Sequence, residues 1–244
     1  MEQGLKQPLA DPEALIARFG LTVIDDKEAE ELDRKERFVE ERHRRERLEA
    51  HYVSPASGVP ERYWKESLDT FKPWNEEASE ALAATRRFVE SKNCRILMLC
   101  GANGTGKTHL GCGAVRERGG IYIPMLRLMY EVDGSMSFKA KESKIQLLDH
   151  ICDASLVVLD ELARVKVREE MQMELAVYVI CERYSRGKST MLIGNPWKKD
   201  LVPWLGMAVK DRMNECGEVV ELHGQSYRIT KRAEVFGKGE INAE

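Results

Sequence analysis

The ten residues GANGTGKTHL, at positions 101–110, constrain the fold of this 244-residue chain more than any other stretch. They fit the pattern G-x-x-x-x-G-K-[ST], in which a glycine-rich loop joins a buried strand to the start of a helix. Glycine is needed there because a side chain would keep a phosphate group away from the backbone N–H groups. An apolar run, CRILMLC, precedes the loop, and a helical pattern follows it. The stretch therefore predicts a loop that binds the phosphates of a nucleotide.

The side chains of this loop have predicted chemical roles. Lys107 would reach the β- and γ-phosphate oxygens, and Thr108 would place its hydroxyl on Mg²⁺. The residues expected to surround the phosphates are Gly101, Ala102, Asn103, Gly104, Thr105, Gly106, Lys107 and Thr108.

Two further strand patterns end in polar side chains that suit such a site. In SLVVLDE, Asp160 would hold Mg²⁺ through water, and Glu161 would orient and polarise an attacking water. Glu161 capping the segment that follows is the alternative. In STMLIGN, Asn195 would hydrogen-bond the attacking water or the γ-phosphate, or it belongs to an ordinary turn in GNPW.

Strand and helix patterns alternate along the rest of the chain. Strands are predicted at CRILMLCG, IYIPM, SLVVLDE, STMLIGN and EVVEL, and helices at residues 76–91, 106–118, 140–151 and 168–185. Such alternation is typical of an α/β fold with a parallel sheet covered by helices on both faces.

The N-terminal region differs in composition from the rest. DPEALIARFG predicts a short amphipathic helix, and the mixed charges of residues 25–50 predict a long exposed helix, either a partner-binding arm or a solvated arm. Pro55, Gly58 and Pro60 then break the helical pattern. We expect four parts, with these bounds: a helical partner-binding region at 1–52, a linker at 53–62, an ATPase domain at 63–232 and a tail at 233–244.

Composition excludes several classes of protein. The net charge of −3 gives no global basic field, so a nucleic-acid contact requires a local patch. The six cysteines show no metal-binding spacing, which favours reduced thiols. No stretch is apolar enough for a signal peptide or a membrane span, so we expect a cytoplasmic protein without a membrane partner.

Taken together, these motifs resemble the AAA+ ATPases of the DnaC-type helicase loader and IstB-like group. GANGTGKTHL is similar to their Walker A motif, LVVLDEL to Walker B and CERYSRGKSTMLIGN to the sensor 1 region. GVPERYWKESLDTF and LGMAVKDRMNECGEVVELHGQSYR also resemble family segments. The resemblance covers roughly residues 55–230.

The resemblance implies a five-stranded AAA+ sheet with the sensor strand between the strands that carry Gly101 and Asp160, and it implies ATP as the nucleotide. His109 belongs to the Walker A stretch, and Asn195 becomes a sensor 1 residue. Arg212 is implied as an arginine finger that acts on a neighbouring subunit, and Arg228 as a possible sensor 2 residue near the nucleotide; ordinary surface ion pairs are the alternative for both. A helical insertion that contacts single-stranded DNA would offer Arg127, Lys139, Lys141 and Lys144, unless it is simply a solvated face.

The function implied first is ATP-dependent loading of a replicative DNA helicase onto single-stranded DNA by a spiral homo-oligomer, with helicase contact through residues 1–50. Three alternatives remain open: an IstB-like regulator of transposition, a nucleotide-controlled interaction module with little turnover, and a small-molecule kinase. Glu161 distinguishes the helicase loader and the transposition regulator from the interaction module, because only hydrolysis needs a group that positions water.

Overall fold

A computed structural model of the chain describes residues 26–136, 142–163, 168–224 and 226–227. The helices of these ranges are α1 (Asp26–Tyr52), α2 (Glu76–Glu90), α3 (Lys107–Arg118), α4 (Met125–Ser135), α5 (Lys144–Asp153), α6 (Glu169–Ser185), α7 (Lys198–Trp204) and α8 (Gly206–Cys216). The strands are β1 (Ile96–Gly101), β2 (Ile121–Pro124), β3 (Leu156–Leu162), β4 (Ser189–Gly194) and β5 (Gly217–Leu222).

The five strands form one parallel sheet in the order β2-β3-β4-β1-β5. β4 follows β3 in sequence, yet it pairs with both β3 and β1 and so separates the strands that carry Asp160 and Gly101. The expected sheet and its expected strand order are confirmed. The strands of such a sheet are nearly continuous apolar runs in the sequence, because helices cover both faces of the sheet.

Two apolar cores lie on the two faces of the sheet. Alternate residues of β1 point to opposite faces, so Met98 belongs to one core and Leu97 and Leu99 to the other. The core that contains Met98 is closed by side chains of α4, α5, α6, α7 and α8. The core that contains Leu97 is closed by α2, α3, the end of α1 and residues 59–71.

The helix boundaries follow local chemistry. Asn75 accepts a hydrogen bond from the Ala78 N–H at the start of α2, and Ser143 and Gln146 form a reciprocal capping pair at the start of α5. Of the helix expected at 140–151, residues 140 and 141 lie outside the described ranges, and the observed helix α5 begins at Lys144. The helices α7 and α8 were not predicted. Pro203 lies within α7 and Gly206 is the first residue of α8, and both residue types favour loops.

The chain divides into two compact units, Met1–Arg47 and Leu48–Glu244. In the first unit, residues 26–47 are helical and expose Leu32, Phe38 and Val39. The short helix expected in DPEALIARFG lies outside the described residues.

In the second unit, residues 53–62 include one 3-10 turn, Pro55–Ser57, and the start of a second, Glu61–Tyr63, and Ser57 and Val59 are buried. This stretch, expected as a linker, is packed as part of the second unit. None of the helices in the described ranges combines the length and the apolar character that a membrane crossing requires.

Arg183, near the end of α6, is fully buried and joins two layers of the fold. Its Nη1 donates to three carbonyl oxygens at the end of α5, those of Ile151, Cys152 and Ala154, at 3.2, 2.9 and 2.8 Å. Its Nη2 donates to the Ser189 carbonyl at 2.5 Å, and its Nε to the Thr190 hydroxyl at 3.1 Å. Burial lowers the pKa of this guanidinium to about 10, which still leaves it charged at neutral pH.

We therefore expect Arg183→Met to lower the free energy of unfolding by about 3 kcal/mol, because several buried carbonyls lose their donor. Urea denaturation followed by circular dichroism measures the change. Arg186→Met is the matched control: this neighbouring arginine makes its ion pairs with Asp149, Asp153 and Glu182 at the surface, so the loss there stays within about 1 kcal/mol. Equal losses in both variants would contradict the role assigned to Arg183.

Candidate functional site

The carboxyl ends of three adjacent strands meet at one edge of the sheet. Gly101 ends β1, Asp160 lies near the end of β3, and Asn195 follows β4. In a parallel sheet these ends share one edge, which is where ligands of open α/β sheets bind. A cavity of about 200 Å³ at this edge is lined by residues 103–109, Asp160, Glu161 and Asn195. The structure thus brings together most of the residues expected at a nucleotide site.

The glycine-rich loop has a backbone that only glycine adopts easily. Gly104 and Gly106 have φ angles of 78° and 84°, in the left-handed region. A Cβ atom on Gly104 would lie 1.9 Å from the Ser226 hydroxyl, and one on Gly106 would lie 2.7 Å from the Phe71 ring. The loop is therefore enclosed by neighbouring segments and ends at the first residue of α3, Lys107.

Lys107 is almost completely buried within this loop. Its Nζ donates to the carbonyl oxygens of Gly101 and Ala102 at 2.9 and 2.6 Å, and it lies 3.4 Å from the Thr105 hydroxyl. A buried ammonium needs such acceptors to offset its lost hydration. These contacts hold the positive charge of Lys107 at the start of a helix, where backbone N–H groups also favour an anion.

Asp160, a residue that is 3% exposed, connects three parts of the site through its carboxylate. Its Oδ2 accepts hydrogen bonds from the Thr108 hydroxyl at 2.8 Å and from the Tyr122 hydroxyl at 2.7 Å. Its Oδ1 accepts the Glu161 N–H at 2.6 Å. The carboxylate is therefore held in one orientation beside the hydroxyl that was expected to bind the metal.

Glu161 follows Asp160 at an irregular point of the sheet. The register between β3 and β4 shifts between Leu159 and Leu162, and Glu161 adopts a φ angle of 62°. A left-handed glutamate costs about 1 kcal/mol or more and is found where the surrounding structure imposes it. The irregularity places Glu161 among the cavity-lining residues with Lys107 and Asn195.

Five residues that the sequence did not single out also line the cavity: Arg62, Tyr63, Glu66, Ile193 and Tyr227. The Arg62 guanidinium lies 5.0 Å from the centre of the Tyr63 ring, and the Tyr227 ring stacks on Trp74 at 6.4 Å. The Tyr227 N–H also donates to the Gly104 carbonyl at 3.0 Å. Arg62, Tyr63 and Tyr227 lie within the stretches that resemble the family, but no local pattern marked them as cavity residues.

His109 lines the cavity but turns toward the segment that precedes α2. Its Nε2 lies 2.8 Å from the Ser67 carbonyl and 3.2 Å from the Thr70 hydroxyl, and its ring meets Phe71 edge-on. It therefore ties the start of α3 to residues 67–71.

Arg212 on α8 is not among the residues that line this cavity. Its guanidinium lies 5.1 Å from the centre of the Tyr184 ring, and its Nη1 donates to the Ala208 carbonyl at 2.8 Å. The Tyr184 hydroxyl in turn contacts the Glu215 carboxylate. A finger acting on a neighbouring subunit would sit away from its own chain's cavity in this way. Arg228 lies outside the described residues.

The four basic residues expected to meet DNA are only partly described, since Lys139 and Lys141 fall outside the described ranges. Arg127 is exposed on α4 and pairs with Glu131 at 2.8 Å, and Lys144 is exposed at the first position of α5. Arg127 and Tyr130 share a surface groove with Glu161.

The donors at the site suit Mg²⁺. The Thr108 hydroxyl and the Asp160 carboxylate are hard oxygen groups, and Mg²⁺ is usually held by one or two such groups together with substrate phosphates. Among the described residues, no cluster of three His, Cys, Asp or Glu side chains is placed to hold a metal by itself. The residues present thus fit a metal that arrives with a nucleotide.

Comparison with solved structures supports the fold. The crystal structure of a DnaC helicase loader superposes with a TM-score of 0.58 at 26% identity, covering 67% of this chain and 100% of that one. The AMPPCP-bound DnaA of Aquifex aeolicus gives a TM-score of 0.55 at 18% identity, which concerns the fold alone. The expected AAA+ core is thereby confirmed.

Sequence relatives fall into two groups. The replicative helicase loader DnaC of Buchnera aphidicola (subsp. Acyrthosiphon pisum, strain APS) is 24% identical over 164 residues, 64% of this chain and 66% of the relative. An insertion sequence IS21-like putative ATP-binding protein of Bacteroides fragilis is 24% identical over 192 residues, 74% of this chain and 70% of the relative. The match thus spans about two thirds of each relative's length.

A family model described as IstB-like ATP binding protein matches residues 24–235. This range includes the phosphate loop, the Asp160 carboxylate with its partners, and the strand that leads to Asn195. The chain therefore belongs to the family of IstB-like ATP-binding proteins.

Proposed function

We propose that this protein hydrolyses ATP and uses the cycle of binding and hydrolysis to load a replicative DNA helicase onto single-stranded DNA. The observation that carries the ATPase part is the convergence of Lys107, Thr108, Asp160, Glu161 and Asn195 on one cavity at the sheet edge. A site for binding alone has no need of a carboxylate such as Glu161 beside the one that orients the metal.

Each residue has a distinct role in this proposal. Lys107 and the loop N–H groups bind the phosphates, and the Thr108 hydroxyl and the Asp160 carboxylate would hold Mg²⁺, the carboxylate through water. A bound Mg²⁺ would supply positive charge that offsets the negative charge of the phosphates. Glu161 accepts a proton from the attacking water, and the neutral amide of Asn195 orients that water or the γ-phosphate without adding negative charge.

Arg212 supplies the remaining positive charge in trans. Its position over Tyr184, away from the cavity of its own chain, supports a role at the nucleotide of a neighbouring subunit. Such arginines contribute about a thousandfold or more in rate. Hydrolysis would then depend on assembly of a homo-oligomer, proposed as a spiral.

The helicase-loading role rests on two supports. One is the likeness to a DnaC helicase loader, whose solved chain is covered completely. The other is the charged helix of residues 26–47 with its exposed apolar side chains Leu32, Phe38 and Val39, which offers a partner a docking surface. We assign helicase contact to residues 1–50.

Single-stranded DNA is proposed to contact α4 and the start of α5. Arg127 and Lys144 carry exposed positive charge that can neutralise phosphates, and the Tyr130 side chain, 65% exposed, can stack on a base. The groove that Arg127 and Tyr130 share with Glu161 would let bound DNA influence hydrolysis.

A second candidate function is regulation of DNA transposition. It is favoured by the family model that matches this chain and by the relative from an IS21-like insertion sequence. The same ATPase core would then assemble on duplex DNA and recruit a transposase.

We expect Glu161→Gln to lower ATP turnover at least a hundredfold while the affinity for ATP changes less than about twofold, because the amide cannot accept the proton. Phosphate release and binding of a fluorescent ATP analogue measure the two quantities. Glu131→Gln is the matched control, since Glu131 shares the surface groove with Glu161 but does not line the nucleotide cavity.

Loss of ATP affinity in Glu161→Gln would contradict the assigned role. A wild-type protein that binds ATP without measurable turnover would instead favour a nucleotide-controlled interaction module.

The loading role predicts a stable complex with the replicative helicase of the same source in the presence of ATP. Gel filtration with light scattering gives the mass of the complex. Replacing Leu32 and Phe38 by Ser should weaken the complex at least tenfold, whereas Tyr178→Ser, which alters an exposed aromatic residue on α6, should not. No complex with helicase, together with ATP-dependent assembly on duplex DNA, would contradict loading and favour transposition.

A further inference from the structure

Tyr122 is a buried tyrosine on β2, the strand at one edge of the sheet. Its side chain belongs to the same core as Leu97 and Leu99, and the residue is 4% exposed. A core position of this kind requires only an apolar ring. The hydroxyl of Tyr122 nevertheless ends 2.7 Å from Oδ2 of Asp160.

The number of hydrogen bonds that Asp160 accepts can be compared with the number that a carboxylate can accept. An ionised carboxylate has about four lone-pair positions, two on each oxygen. Two hydroxyl groups, of Thr108 and Tyr122, occupy Oδ2, and the Glu161 N–H occupies one position on Oδ1. Among the donors of the described residues, none takes the remaining position, which lies on Oδ1 and is a defined place for a further hydrogen bond.

We propose that Tyr122 is a positioning residue of the metal site, which holds the Asp160 carboxylate so that Oδ1 receives a water molecule bound to Mg²⁺. The inference rests on the proposed Mg²⁺–nucleotide site and adds to it a residue outside the phosphate loop and the Asp160–Glu161 pair. Partners that hydrogen-bond a metal-orienting carboxylate commonly change metal affinity by 10- to 100-fold when removed.

The backbone holds Tyr122 in place from two sides. It pairs with Val158 in the register between β2 and β3, two residues before Asp160. On the free edge of β2, Gly58 approaches so closely that a Cβ on Gly58 would lie 2.1 Å from the Tyr122 carbonyl oxygen. The backbone of Tyr122 is therefore fixed, and its ring is enclosed in the core that contains Leu97 and Leu99.

The direction of the hydrogen bond follows from the two groups that form it. A carboxylate oxygen only accepts, so the Tyr122 hydroxyl is the donor to Oδ2 of Asp160. The phenol therefore gives Asp160 a hydrogen bond and brings no second negative charge.

Tyr52 provides a matched comparison within the same core. It is fully buried, and its hydroxyl donates to the carbonyl oxygens of Tyr63 and Glu66 at 2.7 and 3.2 Å. Removal of either hydroxyl takes a donor from its acceptors, but of the two tyrosines only Tyr122 contacts Asp160. A purely structural role for Tyr122 would make the two changes equivalent.

The test is the Mg²⁺ concentration that gives half of the metal-dependent binding of a fluorescent ATP analogue. In full-length Tyr122→Phe we expect this concentration to rise about tenfold, with binding in EDTA unchanged. In Tyr52→Phe it should stay within twofold of the wild type. Thermal unfolding of both variants separates loss of stability from loss of metal affinity.

A second variant tests the same hydrogen bond if Tyr122→Phe does not fold. 4-Aminophenylalanine at position 122 keeps a donor in the same place and should restore the wild-type Mg²⁺ requirement to within threefold. An unchanged requirement in Tyr122→Phe, or a tenfold rise with the amino analogue, would overturn the inference. A wild-type protein that binds no nucleotide would instead overturn the proposed function itself.

Discussion

The hydrogen bonds of the Asp160 carboxylate connect the helix that follows the phosphate loop with the edge strand of the sheet. The carboxylate accepts hydrogen bonds from the first turn of α3, from β2 and from the backbone that follows it. A buried carboxylate without these donors would carry a large cost in free energy, since it has lost most of its hydration. The site can therefore form only when all three elements are in place, and the fold and the chemistry depend on the same contacts.

The strand order explains how a few residues, distant in sequence, form one site. β4 lies between β3 and β1, so Asn195 is brought between the strand ends that carry Asp160 and Gly101. Lys107 and Thr108 then extend from the helix that leaves the loop. Because all strands are parallel, every carboxyl end contributes to one edge, and polar groups far apart in sequence share one cavity of about 200 Å³.

Much of this could be predicted from the sequence, for identifiable reasons. The loop pattern around Gly101 and Lys107 has a strict backbone requirement, and the apolar runs before Asp160 and Asn195 have the length of buried strands. The strand order followed from resemblance to a family and not from spacing. The roles assigned to individual site residues remain predictions, although the structure brings most of them together.

Other features depend on contacts that leave no local signal. Tyr122 reads as one more apolar residue of a strand, and its hydrogen bond to Asp160 exists only because β2 and β3 pair in one register. Pro203 lies within α7 and Gly206 begins α8, so local rules favour a loop there, and packing into the core overrides them. The buried network of Arg183 is hidden in the same way, because an arginine on a helix usually lies at the surface.

The central claim is that the edge formed by Gly101, Asp160 and Asn195 binds a nucleotide with Mg²⁺. The most direct measurement is a crystal structure of the full chain with Mg²⁺ and a non-hydrolysable ATP analogue. We expect phosphate oxygens within hydrogen-bonding distance of the Lys107 Nζ, and Mg²⁺ about 2.0–2.1 Å from the Thr108 hydroxyl oxygen. A nucleotide bound elsewhere, or a metal held without Thr108, would contradict this assignment of the site.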